Sequence, residues 1–206
     1  MIDYLAVFIT FFAVIDPIGT VPVFIAVTDQ YDQKTKRRVA LLATVVSACV
    51  LLFFLIIGEV ILKALSIPLP AFQISGGIVL FLFAMNMIFG DSKPEEEIKL
   101  LENDHTETAI FPLAVPSIAS PGAMLAAVLL TENSVFSITE QIQTALVMLL
   151  VLVLAYALML GSGFISKAIG TSGASVISRV MGLILSSIAT TNILSGISEY
   201  YQILHT

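Results

Sequence analysis

The chain has 206 residues, of which 58% are hydrophobic and 12% charged, with a formal net charge of −6. Soluble domains carry about twice this share of charged residues, so the composition excludes an ordinary soluble enzyme, a nucleic-acid-binding protein and a disordered protein. At about 20 residues per transmembrane helix, the chain has room for roughly five to seven helices and no separate soluble domain.

Apolar stretches separated by polar loops or proline turns predict six transmembrane helices. In chain order they cover 4–28, 39–65, 71–90, 109–131, 142–164 and 176–200, with a Gly/Ser/Thr loop before the sixth. The first helix is interrupted at Asp16-Pro17-Ile18-Gly19, and the fourth at Pro116 and at Ser120-Pro121-Gly122. The sequence therefore predicts an all-α polytopic membrane protein, a single transmembrane domain over 1–206 in which helices 1 and 4 are discontinuous.

The basic residues predict the orientation in the membrane. Eight of the nine Lys and Arg residues fall in the connections one–two, three–four and five–six, whereas the other side carries only Lys63. Because basic residues favour the cytoplasmic side, both termini are expected outside. The connection 91–108 holds seven of the fifteen acidic residues, and it is expected to be an acidic, solvated cytoplasmic loop.

The chain divides into two similar halves of three helices each, 1–100 and 105–206. Since three is odd, the second half must enter the membrane upside down, and such inverted repeats are common in secondary transporters. Chance likeness between apolar helices is the alternative, and paired Gly, Asn and Pro residues at a common offset argue against it. The matching segments are Gly77-Ile78-Val79-Leu80 with Gly182-Leu183-Ile184-Leu185, Asn86 with Asn192, Gly90 with Gly196, and Asp16-Pro17 with Ser120-Pro121.

Asp16 is the only acidic residue well inside the first predicted helix. An ionisable group at that depth costs on the order of 3 kcal/mol and therefore indicates a function. Pro17 and Gly19 break the helix there, and freed backbone groups are tolerated in a membrane only in a cavity or buried in protein. Asp16 is also expected to cap the half-helix that follows, a structural role compatible with lining a site.

The fourth helix repeats this arrangement without an acid, so its break offers only hydroxyl and backbone groups. One acidic and one neutral break suit a small zwitterion, with its carboxylate at helix N-termini and its ammonium near Asp16 or carbonyl groups. Plain kinks in packed helices are the structural alternative, and Asn86 and Thr191 are weaker site residues. The predicted substrate-binding residues are Asp16, Pro17, Ile18, Gly19, Thr20, Ser117, Ser120, Pro121, Gly122, Ala123, Asn86 and Thr191.

Other polar residues have simpler interpretations. Glu59 and Lys63 have the i,i+4 spacing of an interfacial ion pair. An enzyme is not expected, because the two histidines, His105 and His205, fall in a loop and at the terminus, and no metal-binding or phosphate-binding motif is present. No cofactor and no nucleic-acid partner are expected. The expected surroundings are the lipid bilayer.

Four ordered motifs resemble the MarC family of prokaryotic inner-membrane proteins, and together with the number of helices they cover nearly the whole chain. They are Ile15-Asp16-Pro17-Ile18-Gly19-Thr20-Val21-Pro22-Val23-Phe24; Ile74-Ser75-Gly76-Gly77-Ile78-Val79-Leu80-Phe81; Pro112-Leu113-Ala114-Val115-Pro116 with Pro121-Gly122; and Arg179-Val180-Met181-Gly182-Leu183-Ile184-Leu185 with Gly196-Ile197.

The resemblance implies a branch that carries small neutral amino acids such as glycine and alanine, using the proton gradient, with discontinuous first and fourth helices at the site. The chain departs from the family pattern at two places. Family members usually have Gly where this chain has Ser120, and they often have Gln where it has Thr191. An exporter of another small metabolite and a non-transporting membrane scaffold are the alternative functions.

Overall fold

The computed structural model describes residues 3–29, 31–89, 106, 109–133 and 135–204, and within them the secondary structure consists of helices joined by short turns. The predicted all-α class is therefore confirmed for these residues. The predicted acidic loop 91–108 lies outside them, apart from residue 106. The helices are α1 (Tyr4–Ile15), α2 (Pro17–Thr28), α3 (Gln33–Ala64), α4 (Leu69–Phe89), α5 (Pro121–Leu129), α6 (Ile138–Leu160) and α7 (Ser162–Leu204), and the broken segment Ala109–Ile118 precedes α5.

Five stretches of the described chain are long and apolar enough to cross a membrane, which makes this a polytopic membrane protein. The predicted fourth helix is absent from this set, because it is divided into the ten-residue broken segment and the nine-residue α5. The five stretches are Tyr4–Thr28, Gln33–Ala64, Leu69–Phe89, Ile138–Leu160 and Arg179–Gln202.

The first crossing, formed by α1 and α2, lies at the centre of the bundle. Its apolar window is 61% buried, compared with 22% for α3. α5 is also largely enclosed, with six of its nine residues buried. Interrupted helices carry backbone groups that lipid cannot satisfy, so the continuous helices surround them.

Side-chain caps fix the starts of α3 and α6. The Asp32 carboxylate accepts the Thr35 N–H at 3.3 Å, and the Ser137 hydroxyl accepts the Glu140 N–H at 3.4 Å. Hydrogen bonds from the Thr35 side chain and N–H hold the pKa of Asp32 below its usual value. These caps begin both helices before the predicted apolar boundaries, because polar first turns extend a helix beyond the apolar stretch.

The predicted Gly/Ser/Thr loop before the last helix is wrong. α7 begins at Ser162, directly after the Gly161 that ends α6, and it continues to Leu204. Gly, Ser and Thr lower helix propensity by at most about 1 kcal/mol each, whereas no proline interrupts the backbone hydrogen bonds over 162–204. A composition rich in Gly, Ser and Thr was therefore not sufficient to predict a loop here.

α4 and α7 approach closely at three glycines, Gly77, Gly182 and Gly196, and the surroundings of the first two match. A Cβ on Gly77 would lie 2.8 Å from Ile193 Cγ1 and 3.1 Å from the Ala189 carbonyl oxygen. A Cβ on Gly182 would lie 2.9 Å from Ile88 Cγ1 and 3.1 Å from the Ala84 carbonyl oxygen. The three residues of one contact are each 105 positions from their counterparts in the other, which is the spacing of the two halves of the sequence. Small residues permit this close approach of two helix backbones.

Replacing Gly182 with Val is expected to lower the free energy of unfolding by about 1–3 kcal/mol, because the new side chain overpacks the crossing of α4 and α7. Gly77→Val should cost a similar amount, since its surroundings match. Gly163→Ala is the control. A Cβ there meets no atom within 4 Å, so the variant protein should be as stable as the original or slightly more stable. Denaturant unfolding in detergent measures all three, and an unaltered Gly182→Val protein would contradict the tight crossing.

Near the C-terminal end of α3, the buried carboxylate of Glu59 joins this helix to the connection between α5 and α6. Glu59 Oε2 accepts the Asn133 N–H at 2.7 Å, while Oε1 lies 2.5 Å from Lys63 Nζ. The predicted ion pair is therefore confirmed. The hydrogen bond that Glu59 accepts from Asn133 could not be predicted, because the two residues are 74 positions apart in the chain.

Candidate functional site

The first helix break lies at Asp16, whose backbone has the left-handed angles φ 48° and ψ 64°. Its N–H donates to the Phe12 carbonyl and ends α1, while its Oδ1 accepts the Gly19 N–H at 2.9 Å and begins α2. The Thr20 hydroxyl donates to the Asp16 carbonyl at 3.0 Å. One residue thus ends one half-helix and caps the next, and Pro17 at the first helical position needs no N–H partner.

Glycine at position 19 makes this cap possible. A Cβ there would lie 2.0 Å from Asp16 Oδ2, well inside contact distance. Asp16 is only 1% exposed, about 18 Å of helix from either end of the crossing. The carboxylate is therefore held at mid-depth against the positive end of the α2 dipole.

The second break is longer, and two prolines explain its shape. Phe111 (φ −133°, ψ 124°) and Val115 (φ −129°, ψ 122°) are extended, and each directly precedes a proline, Pro112 or Pro116. Proline disfavours helical angles in the residue before it. The Ala119 N–H reaches back to the Ala114 carbonyl at 2.8 Å. The chain then re-enters a helix at Ser120, whose hydroxyl accepts the Ala123 N–H at 3.1 Å and caps α5.

A hydrogen bond joins the two breaks. Ser120 Oγ donates to the Val14 carbonyl oxygen at 2.9 Å, and Ser120 is fully buried. Val14 lies in the last turn of α1, where carbonyl groups lack helical partners. Gly122 brings α5 close to α4, because a Cβ there would lie 2.3 Å from Leu80 Cδ1. The half-helices α2 and α5 therefore both begin in one buried region.

Two further hydroxyl groups lie along the broken segment. Ser117 is 1% exposed, and its hydroxyl has no hydrogen-bond partner among the residues that the structure describes. A buried hydroxyl without a partner costs about 1–3 kcal/mol, so it is available to a ligand. Ser47 in α3, which the sequence analysis missed, donates to the Ala43 carbonyl at 2.8 Å and lies 3.4 Å from the Ala114 carbonyl oxygen. Its only signal was that it is one of two hydroxyl residues, with Thr44, in an apolar stretch.

Most of the predicted site residues come together, and two do not. Near the breaks, Ile18 is half-buried and Pro121 is exposed, whereas their neighbours in the capped turns are buried. Asn86 and Thr191 are exposed, on the faces of α4 and α7 opposite the buried Ala84 and Ala189. The residues gathered at the two breaks are Asp16, Pro17, Ile18, Gly19, Thr20, Ser117, Ser120, Pro121, Gly122 and Ala123.

This arrangement supports ligand binding by polar contacts. Two helix N-termini offer partial positive charge, and Asp16 supplies a buried carboxylate. Among the residues that the structure describes, no group of three His, Cys, Asp or Glu side chains is placed to hold a metal ion. The groups available here therefore suit a small molecule that bears both signs of charge.

Comparisons with known proteins agree over nearly the whole length. The model of the MarC family of integral membrane proteins matches residues 1–201. A UPF0056 membrane protein of Methanocaldococcus jannaschii is 36% identical over 197 residues, which are 94% of this chain and 95% of the relative. The UPF0056 membrane protein YvbG of Bacillus subtilis is 31% identical over 204 residues, which are 96% of this chain and 95% of the relative.

A UPF0056 membrane protein of Aquifex aeolicus is 30% identical over 201 residues, covering 95% of this chain and 92% of the relative. No solved structure matches the chain. The motif resemblance and the full-length matches agree, and the chain therefore belongs to the MarC family of integral membrane proteins.

Proposed function

We propose that the protein is a secondary transporter of small neutral amino acids, of the glycine and alanine class, with its binding site at the paired helix breaks. The observation that carries this proposal is the buried hydrogen bond from Ser120 to Val14, which brings the starts of α2 and α5 together. Interrupted helices that meet at mid-depth are the usual setting of substrate sites in secondary transporters.

The charges of an amino acid fit the two breaks. Its carboxylate binds at the N-terminal amides of α2 or α5, where the helix dipole is positive. Its ammonium binds near the Asp16 carboxylate, and the unpartnered Ser117 hydroxyl offers a further polar contact. A zwitterion leaves less net charge in the membrane than an ion of one sign, so it suits a site with a single buried acid.

The small residues at the breaks favour a small substrate. Gly19 and Gly122 have no room for a Cβ, since Asp16 and Leu80 occupy that space. Ala123, directly after Gly122, is fully buried. A glycine or alanine side chain needs little space in such packing, whereas a larger one would require α4 to move away.

Transport by this site requires alternating access. Asp16, Ser120 and Ala123 are buried, so a substrate enters only when the helices around the breaks separate. The matched crossing of α4 and α7 supports two inverted repeats, 1–100 and 105–206, that move against each other. On this proposal the six crossings of the membrane include the broken segment with α5.

Protons are the proposed coupling ion. The distribution of basic residues favours both termini outside and the connection 91–108 in the cytoplasm. On this proposal the membrane is a prokaryotic inner membrane. On this proposal the protein performs no chemical conversion and needs no cofactor. Its partners are the substrate, the proton and the surrounding lipid.

Uptake of radiolabelled glycine and alanine into proteoliposomes tests the function directly. We expect accumulation when a pH gradient is imposed and only slow equilibration when the gradient is collapsed. A thermal-shift screen of the twenty amino acids should show stabilisation by the transported ones alone. Absence of uptake with stabilisation by another metabolite would favour an exporter of that metabolite. Absence of both would favour a scaffold.

A further inference from the structure

A cavity of about 560 Å³ lies far from the helix breaks, where the end of α2, the start of α3 and the junction of α6 with α7 meet. This volume is within the usual range for small-molecule sites, about 300–1,000 Å³. Phe24 and Thr28 of α2 are buried and form one wall. α2 separates the cavity from Asp16 by about two helical turns.

Two cations and no acidic residue are present among the described residues that line this cavity. Lys36 and Arg37 belong to the first turns of α3. Within the described part of the chain, neither forms an ion pair, and the recorded ion pair, Lys63 with Glu59, is at the far end of α3. The acidic residues of the same loop, Asp29 and Asp32, do not line the cavity. The cavity is therefore electropositive.

The rest of the lining combines polar residues, among them Thr28, Gln33 and Ser162, with an apolar part. Phe24, Ile25, Met159 and Leu160 lie on the membrane side of the two cations, on the last turns of α2 and α6. The apolar part of α3 begins at residue 39, so Lys36 and Arg37 lie at the depth of lipid headgroups. Positive charge at the headgroup level, next to an apolar surface, favours binding of an amphiphilic anion over that of a fully water-soluble anion.

We propose that this cavity binds the phosphate headgroup of an anionic phospholipid, with Lys36 and Arg37 on the phosphate and the start of an acyl chain against the apolar surface. Arg can donate two hydrogen bonds to a phosphate, and Lys adds a point charge. The lipid would join the ends of α2, α3 and α6, which otherwise share an open space. This proposal is independent of the transported substrate.

Native mass spectrometry of the purified protein tests it with phosphatidylglycerol, and phosphatidylcholine serves as the neutral comparison. We expect retention of phosphatidylglycerol in preference to phosphatidylcholine. The double variant Lys36→Gln/Arg37→Gln should weaken phosphatidylglycerol binding by roughly thirtyfold, from the usual contribution of two basic residues near a membrane surface.

A matched variant separates the cavity from general surface charge. Lys34→Gln/Arg38→Gln removes the same charge from the same helix end, but neither residue lines this cavity. A third variant, Gly163→Leu, keeps both cations and places a side chain into the open space at a lining position, where a Cβ meets no atom within 4 Å. We expect the matched pair to retain selective binding and Gly163→Leu to lose it.

Three results would overturn the proposal. Equal losses in the two double variants would mean that only diffuse surface charge attracts the lipid. Unchanged binding in Gly163→Leu would place the lipid elsewhere. If soluble glycerol phosphate bound as well as phosphatidylglycerol in the same measurement, the ligand would be a free phosphate compound and not a lipid.

Discussion

Asp16→Asn is expected to lower proton-driven amino acid uptake by about ten- to a hundredfold while leaving the fold intact. Asparagine caps a helix as well as aspartate does, so it can still accept the Gly19 N–H. It also tolerates the left-handed angles of position 16 better than most residues. What it removes is the charge, and a hydrogen bond to a charged group contributes about 1.5–3 kcal/mol. Uptake into proteoliposomes and thermal unfolding in detergent measure the two effects separately.

Asp16→Ala serves as the structural comparison. It removes the cap, at about 1 kcal/mol, and it forces a left-handed conformation on alanine at a further cost of about 1–2 kcal/mol. We therefore expect a clear loss of stability in Asp16→Ala and little in Asp16→Asn. Normal uptake by Asp16→Asn would remove Asp16 from the substrate site and leave it as a helix cap.

Ser120→Ala is expected to destabilise the protein by about 2–6 kcal/mol and to impair uptake. The Ser120 hydroxyl forms two buried hydrogen bonds, accepting from the Ala123 N–H and donating to the Val14 carbonyl oxygen. Without it, two backbone groups remain buried without partners, at about 1–3 kcal/mol each. Denaturant unfolding and uptake measurements on the same preparation check both parts of this prediction.

Two variants isolate the bond between the breaks. Ser137→Ala removes an exposed cap of α6 and should cost about 1 kcal/mol without affecting uptake. Ser120→Gly retains most of the capping ability and chiefly removes the contact with Val14. If Ser120→Gly transports normally and unfolds like the original protein, the bond between the breaks has no part in the site.

Several features could be predicted from local sequence alone. Proline and glycine have restricted or permissive backbones whatever surrounds them, so Asp16-Pro17 and Ser120-Pro121 indicated the breaks. The Glu59–Lys63 pair followed from helix spacing. The prediction of a loop before the last helix failed, because Gly, Ser and Thr residues are compatible with a helix when no proline is present.

By itself, the sequence determined that this protein lies in a membrane, where its helices break and which acid is buried at depth, because these follow from hydrophobicity and local backbone chemistry. Only the tertiary structure decided which groups meet: the Val14 carbonyl accepts from Ser120, and Leu80 packs on Gly122. It also turned Asn86 and Thr191 outward, away from the breaks. These contacts depend on how helices distant in sequence pack and rotate, and the composition of each helix does not specify that.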